Sequence, residues 1–573
     1  MNFAAVFHRA QAPWSYALNA DELVLRLQTG PEVERVFLHW GDPFEAGILG
    51  GAEEWHGQRQ ELAAPLAMEH TPWWTTAIRP PFKRCRYHFE LHAGGEVWLY
   101  GEDGFCRPEH QARGRPAAFF QPWMNPADIP APPPWVRDTV WYQIFPDRFC
   151  RGAGSTCPAP WRTGPVTNRQ RFGGDLPGIL EKLDYLADLG VNGLYLNPVF
   201  AADSVHKYDT RDYTLVDPDF GTNADLKRLV NKAHDRGIRV MLDAVFNHCG
   251  PHFAPWLDVV EKGPSSRYWN WFMVNRWPLD PKPASTRDGR YYSFAFAGGM
   301  PKFNTNNPEV IDFFASLCES WVRDYGVDAI RFDVGNEVSH RLLKEVRRRV
   351  RAVRPDVYLL GEIWHDASPW LEGDEYDAVM NYPLQQAVKG FFADPSLSAR
   401  DLYGNLQRCL GMYRRQTVEV LFNLMDSHDT DRLFTRSGGE DAFFQQLALL
   451  FTLPGSPCVY YGTEVALPGG HDPDCRRCMP WAELDTPENR SRRAQLQRLI
   501  RLRRTLPDLR AGEVLFPCTG EQDRLVRFRR GGVEVFLNAG AAPWALPKGA
   551  EALFSRGLQE NTLAPGGLCI RQV

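Results

Sequence analysis

Several features that would settle a protein's class at once are missing from this sequence of 573 residues. No run of about 18 apolar residues occurs, which excludes a membrane-spanning helix. The N-terminus, MNFAAVFHRAQAPWSY, has no basic stretch followed by an apolar one, so no secretory signal is expected and the expected location is cytoplasmic. There is no surplus of positive charge: the formal net charge is −5. A broad basic surface is therefore not expected, and neither is a nucleic-acid partner. Cysteine is sparse, 12 residues in all, far from the density of a disulfide scaffold. Cys475 and Cys478 form a C-x-x-C pair, but no second pair exists to complete a zinc site, so both are expected as ordinary thiols. Neither a phosphate-binding P-loop nor an H-E-x-x-H zinc motif appears.

Aromatic residues, by contrast, are abundant: 19 Trp, 19 Tyr and 34 Phe. Their faces suit apolar cores and equally the C–H faces of sugar rings. The length is that of roughly two to four domains. Residues 1–125 carry the runs ELVLRLQT, VERVFLHW, RCRYHFEL and EVWLYG between Gly and Pro punctuation, the pattern of a β-sandwich. The Pro-rich stretch PADIPAPPPW continues neither helix nor central strand, and residues 126–136 read as a linker. Over 137–506, eight short apolar runs (in TVWYQIFP, GLYLNPV, RVMLDAV, AIRFDV, YLLGEI, AVMNYP, EVLFNLMDSH and CVYYGTE) mostly alternate with helical periodicity. Eight such units predict a multidomain α/β protein built on a (β/α)8 TIM barrel. A long excursion over about 249–307 predicts a small inserted subdomain after the third strand, with the Trp-rich stretch at 269–277 in its core. Residues 507–573 return to β-like runs and predict a C-terminal β-sandwich. Arg347, Arg348 and Arg349 read as a solvated helix face.

Polar residues gather at the C-terminal ends of the barrel strands, where such barrels carry their chemistry. Asp243, Asn247 and His248 follow the third strand, Arg331 and Asp333 end the fourth, Glu362 the fifth, and His428 and Asp429 the seventh. Arg331 and Asp333, two apart on a strand, face the same way. A guanidinium beside Asp333 is expected to lower its pKa and hold it ionised, as a nucleophile at a sugar carbon must be. Glu362 then serves as proton donor. Carboxyls roughly 5–5.5 Å apart make such a reaction retaining.

The segments DAVFNH (243–248), GVDAIRFDV (326–334), GEIW (361–364) and SHD (427–429) resemble, in order, the four signature regions of the α-amylase superfamily of glycoside hydrolases. NGLYLNPVF, HKYDTRDY and GGHDPDCRRCMPW extend the match. MPKFN (300–304) and NEV (336–338) point to the neopullulanase, cyclomaltodextrinase and maltogenic amylase subgroup, as do EWHGQRQELA (54–63) and PPFKRCRYHFEL (80–91) in a starch-binding-type N-terminal domain. The resemblance implies Asp333 as nucleophile, Glu362 as general acid and base, and Asp429 as transition-state stabiliser. It implies that His206, Tyr208, His248, Arg331 and His428 serve the cleaved glucose, Asp472 and Arg476 the next sugar on the non-reducing side, and Asn336, Glu337 and Trp364 the acceptor side. Asp243 and Asn247 are expected to be mainly structural.

The implied activity is hydrolysis of α-1,4 bonds in cyclodextrins, maltooligosaccharides and pullulan through a covalent β-glucosyl-aspartate, with transglycosylation as an added outcome. An α-glucan transferase or branching-type enzyme on the same machinery is the alternative, and a silent glucan-binding scaffold a third reading. A homodimer through the N-terminal domain is a further implication. Relatives often bind calcium near the first strand–helix loop, but here the loop after FPDRF lacks the usual Asn and Asp. Gly173 and Asp175 alone remain as ligands, against the six to eight oxygens calcium takes, so no cofactor is expected to be required and the site is expected to be weak or lost. Arg162, Arg169 or Arg171 is expected in its place.

Overall fold

The computed structural model describes residues 1–45, 55, 57–63, 71–113, 116–517 and 523–573. Glu54 and His56 of the EWHGQRQELA segment lie outside the described residues. The chain forms two compact units. One comprises residues 1–131, 394–418 and 514–529; the other comprises 132–393, 419–513 and 530–573.

In the first unit, strands Ser15–Ala17, Leu23–Gln28 and Trp73–Ile78 form one antiparallel sheet. Gln58–Glu61, Arg35–Gly41, Cys85–Ala93, Glu96–Gly101 and Gly104–Cys106 form a second, with Phe119–Gln121 added to Cys85–Ala93. Leu25, Leu27, Val36, Leu38, Trp74, Tyr87 and Phe89 share one buried core. Each of the four predicted runs of this region is a strand. Helix Ala399–Gly411 belongs to the same unit, and Arg26 donates to the Gly411 carbonyl at 2.8 Å.

In the second unit the barrel strands are β1 (Trp141–Ile144), β2 (Gly193–Leu196), β3 (Arg239–Ala244), β4 (Ala329–Phe332), β5 (Tyr358–Gly361), β6 (Ala378–Val379), β7 (Phe422–Leu424) and β8 (Ser456–Tyr460). All neighbours are parallel, in the order 6-5-4-3-2-1-8-7. A single parallel bridge, Met380 to Phe422, joins the two ends. Apart from half-buried Arg239 at the start of β3, the strands are buried along their length, as a sheet covered on both faces requires.

The helices follow local chemistry. Thr222 caps Asn223–His234 through a capping box with Asp225. Asp175 caps Leu176–Glu181 by accepting the Gly178 N–H. After β3 the excursion folds around Trp256, Trp271, Phe272, Tyr291 and Phe303, all buried, so the aromatic stretch is subdomain core at Trp271 but surface at Trp277, 48% exposed. Strands Val533–Asn538, Thr562–Gln572, Trp544–Ala545 and Ala552–Gln559 form antiparallel pairs at the C-terminus.

One surface expectation fails. Arg347 is buried and donates to Asp377 Oδ1 at 2.9 Å and to the Glu375 carbonyl at 3.0 Å. Arg348 and Arg349 pair with Glu345 on the same helix. A guanidinium with a buried carboxylate to meet can face inward, and periodicity cannot distinguish that from a solvated charge.

Candidate active site

The strand register places Asp243 of β3 directly opposite Arg331 of β4. Arg331 is fully buried and is the hub of the site. Its Nη1 donates to Asp243 Oδ1 at 2.8 Å and to Asp333 Oδ1 at 3.0 Å. Its Nη2 stands 2.9 Å from Glu362 Oε2 but finds no hydrogen-bond geometry there. Asp243 has no side-chain exposure, whereas Asp333 and Glu362 each retain 10% and Asp429 retains 30%. Asp243 therefore supports the cluster, and the other three carboxyls open to the cleft.

Tyr195 and Tyr208 both donate to Asp243 Oδ2, at 2.7 and 3.0 Å. The Tyr208 oxygen also accepts from Asn197 at 2.9 Å and lies 2.7 Å from His428 Nε2. Gln143 of β1 donates to His428 Nδ1 at 2.8 Å, which leaves the His428 proton on Nε2, facing Tyr208 and, at 3.1 Å, Asp429. The Tyr208 and His428 rings stack at 5.5 Å and 10°. His206 Nδ1 accepts the Tyr208 N–H at 3.1 Å, so its proton sits on Nε2. His248 Nε2 donates to the Tyr208 carbonyl at 3.0 Å, and its ring stacks on Phe294. Burial pushes His206 down to about 4 and His248 to about 3, and holds His428 well below the usual range. All three are neutral donors near pH 7.

Arg476 donates to the His428 carbonyl at 2.9 Å and reaches Asp429 at 3.4 Å and Asp472 at 2.9 Å. It is buried, so the pair with Asp472 is no surface ornament. Trp364 lies flat on Tyr382 at 3.5 Å and 9°, 41% exposed, and donates to Glu362 Oε1 at 3.1 Å. Asn336 and Glu337 are exposed at the rim, Glu337 paired with Lys302 at 2.8 Å.

The expectation for Asp333 needs correction. Arg331 does pull its carboxyl down, but burial and the neighbouring Glu362, Asp243 and Asp429 push it up, and the net direction is up. Three carboxyls, Asp243, Asp333 and Glu362, share the single Arg331 guanidinium. Cys475 and Cys478 are buried free thiols, and burial pushes both up to about 12, which leaves them inert.

The loop after β1 offers calcium little. Asp175 Oδ1 accepts the N–H groups of Gly178 and Gly152. Asp147 accepts from Phe172, Gly173 and Arg148. Arg151 donates to the carbonyls of Phe172 and Ala159, and the Gly173 carbonyl accepts from Ser155. Of the three arginines named for this space, Arg171 pairs instead with Asp219. Arg148 and Arg151, not singled out from the sequence, fill the loop. The donor set does not fit calcium.

Sequence reasoning passed over Gln143, Tyr195, Asn197, Lys302, Tyr376 and Tyr382. Gln143 carried a signal, a lone amide inside an apolar strand. Tyr376 and Tyr382 look like core aromatics, and only their partners mark them.

A parallel eight-stranded barrel with carboxyls on one rim, grouped on one buried arginine, is the arrangement of a barrel glycoside hydrolase. Comparison with known proteins agrees. The family described as alpha amylase, catalytic domain, matches residues 143–495, and alpha amylase, N-terminal ig-like domain, matches residues 1–125. The cyclomaltodextrinase of Geobacillus thermopakistaniensis (strain MAS1) is 43% identical over 94% of this chain and 90% of its own length. The maltogenic alpha-amylase of Bacillus acidopullulyticus is 41% identical over 92% and 90%. A solved cyclomaltodextrinase structure superposes with a TM-score of 0.88 at 37% identity, covering 100% of this chain and 98% of that one. The chain belongs to the α-amylase family of glycoside hydrolases, in the group of cyclomaltodextrinases, maltogenic amylases and neopullulanases.

Proposed function

We propose that the protein hydrolyses α-1,4-glucosidic bonds of cyclodextrins, maltooligosaccharides and pullulan with retention of configuration. The observation that carries this reading is the asymmetric hold of Arg331 on two cleft carboxyls. Asp333 receives a guanidinium hydrogen bond, which favours its anion, whereas Glu362 meets the same group without one. On this reading Asp333, held by the guanidinium, is the nucleophile and Glu362 the acid–base group. Two carboxyls at adjacent nitrogens of one guanidinium suit the close spacing of a retaining pair.

Asp333 attacks C1 of the glucose as Glu362 gives its proton to the leaving glycosidic oxygen, forming a glucosyl ester. Glu362 then takes a proton from water as that water attacks C1, which frees the sugar and restores Asp333. Asp429, with Arg476 and the neutral His428 beside it, faces the charge developing on the ring. The Tyr208 ring and the Asp472–Arg476 pair hold the donor side. Trp364 beside Glu362 supports a second outcome, in which a sugar replaces water as acceptor. No bound calcium is needed.

The test is product analysis with β-cyclodextrin, maltotriose, pullulan and starch, using wild type and Asp333→Asn. Ring opening and panose release by wild type only are expected. Wild-type activity in Asp333→Asn would sink the mechanism.

A further inference from the structure

Val334, the residue after Asp333, has φ 47° and ψ 46°. A β-branched residue enters this left-handed region only where its surroundings impose it. Here the result is specific. The Val334 N–H points at Glu362 Oε2, 2.9 Å away, and the Gly335 N–H donates to the Glu362 carbonyl at 3.1 Å. The turn after β4 thus grips both the side chain and the main chain of the residue that follows β5.

What holds the turn is Tyr376. Its hydroxyl donates to the Gly335 carbonyl at 3.0 Å. Its ring lies against Gly361, where an added Cβ would come within 2.6 Å of a ring carbon, and a Cβ on Gly335 would stand 2.8 Å from its oxygen. Both positions must be glycine for the tyrosine to sit between them. The ring also contacts Phe332 at 5.5 Å, and the residue is 2% exposed. Tyr376 therefore touches the end of β4, the turn and the end of β5, and nothing in the cleft.

We infer that Tyr376 is a positioning residue for the Glu362 carboxyl: by pinning the Gly335 carbonyl it keeps Val334 in the conformation that aims its N–H at Oε2. An oxygen facing an N–H and a guanidinium cannot carry a proton between them. The transferable proton is thereby left to Oε1, which faces one donor, the Trp364 Nε1–H at 3.1 Å, and not two. The inference rests on the acid–base role of Glu362 given under Proposed function.

The test is Tyr376→Phe, which removes the hydroxyl and keeps the ring. On β-cyclodextrin, kcat falls about 10- to 100-fold while KM changes little, as for a displaced acid–base group. The alkaline limb of the kcat/KM profile moves to higher pH, because a carboxylate that loses an N–H donor keeps its proton longer. The melting temperature changes little. Adding Val334→Gly to this variant restores part of kcat, since glycine holds the left-handed turn without a clamp. An unchanged kcat and pH limb in Tyr376→Phe would overturn the inference. So would a loss of activity that follows a lowered melting temperature with the limb unmoved, or a Val334→Gly addition without rescue. A wild type inactive on every glucan would refute the functional reading and this inference with it, whereas an active wild type with an indifferent Tyr376→Phe refutes the inference alone.

Discussion

Replacing Arg331 by Met removes the one cation that Asp243, Asp333 and Glu362 share. The side chain is fully buried and methionine is flexible enough to fill much of the space, so the change is mainly electrostatic. Breaking a buried ion pair by deleting one partner costs about 3–5 kcal/mol, and here three carboxyls lose theirs. At about 2–4 °C per kcal/mol for a large domain, the melting temperature at neutral pH should fall by roughly 6–20 °C.

The sign of the pH dependence follows from the carboxyls left behind. Burial already holds Asp243, Asp333 and Asp429 above the usual carboxylate range. Such groups bind more protons folded than unfolded between their unfolded values, near about 4, and their raised folded values. Stability then falls as pH rises through that window. Loss of Arg331 extends the window upward, so the variant's deficit is largest at neutral pH and shrinks on acidification. Calorimetric melting of both proteins from about pH 4 to pH 8 reads this directly. A variant melting within about 2 °C of wild type at neutral pH, or a deficit that grows on acidification, would refute the role of Arg331 as shared counter-charge.

Arg347→Ala should destabilise by about 2–3 kcal/mol, since it takes a charged hydrogen bond from buried Asp377 while Arg351 remains to compensate in part. Arg348→Ala, one residue along and exposed, should leave the melting temperature unchanged; equal effects would mean that Arg347 does not act through Asp377. Dialysis against a chelator should leave activity and melting temperature unchanged, because Asp175 and Asp147 are already engaged by N–H donors and Arg148. A drop of several degrees reversed by added calcium would contradict this.

The barrel was legible because strands covered on both faces must be continuously apolar, and Gly, Pro and caps mark where each ends. The rim position of Asp333 and Glu362 was legible because each follows an apolar strand by one residue, whereas Asp429 lies five residues beyond β7. The state of Asp333 was not legible. It depends on Glu362 and Asp429, from 29 to 96 residues away along the chain, and on how little water reaches them. Arg347 and Tyr376 were hidden for a related reason. A buried arginine and a buried tyrosine have the same local sequence pattern as a solvated charge and a core aromatic, and only the partner distinguishes them. That Arg148 and Arg151 take carbonyls in the loop after β1 was hidden for the same reason.

The membership of the two compact units has a consequence for dissecting this chain. Residues 394–418 and 514–529 belong with 1–131, so the chain passes between the units at five places, near 131, 393, 418, 513 and 529. The Pro-rich segment looks like the natural place to cut. A cut there removes the first 131 residues and strands two segments whose partners have gone, among them the Gly411 carbonyl that accepts from Arg26. No single cut divides the chain between the two units, and exchanging the first unit between relatives calls for transplanting three segments together.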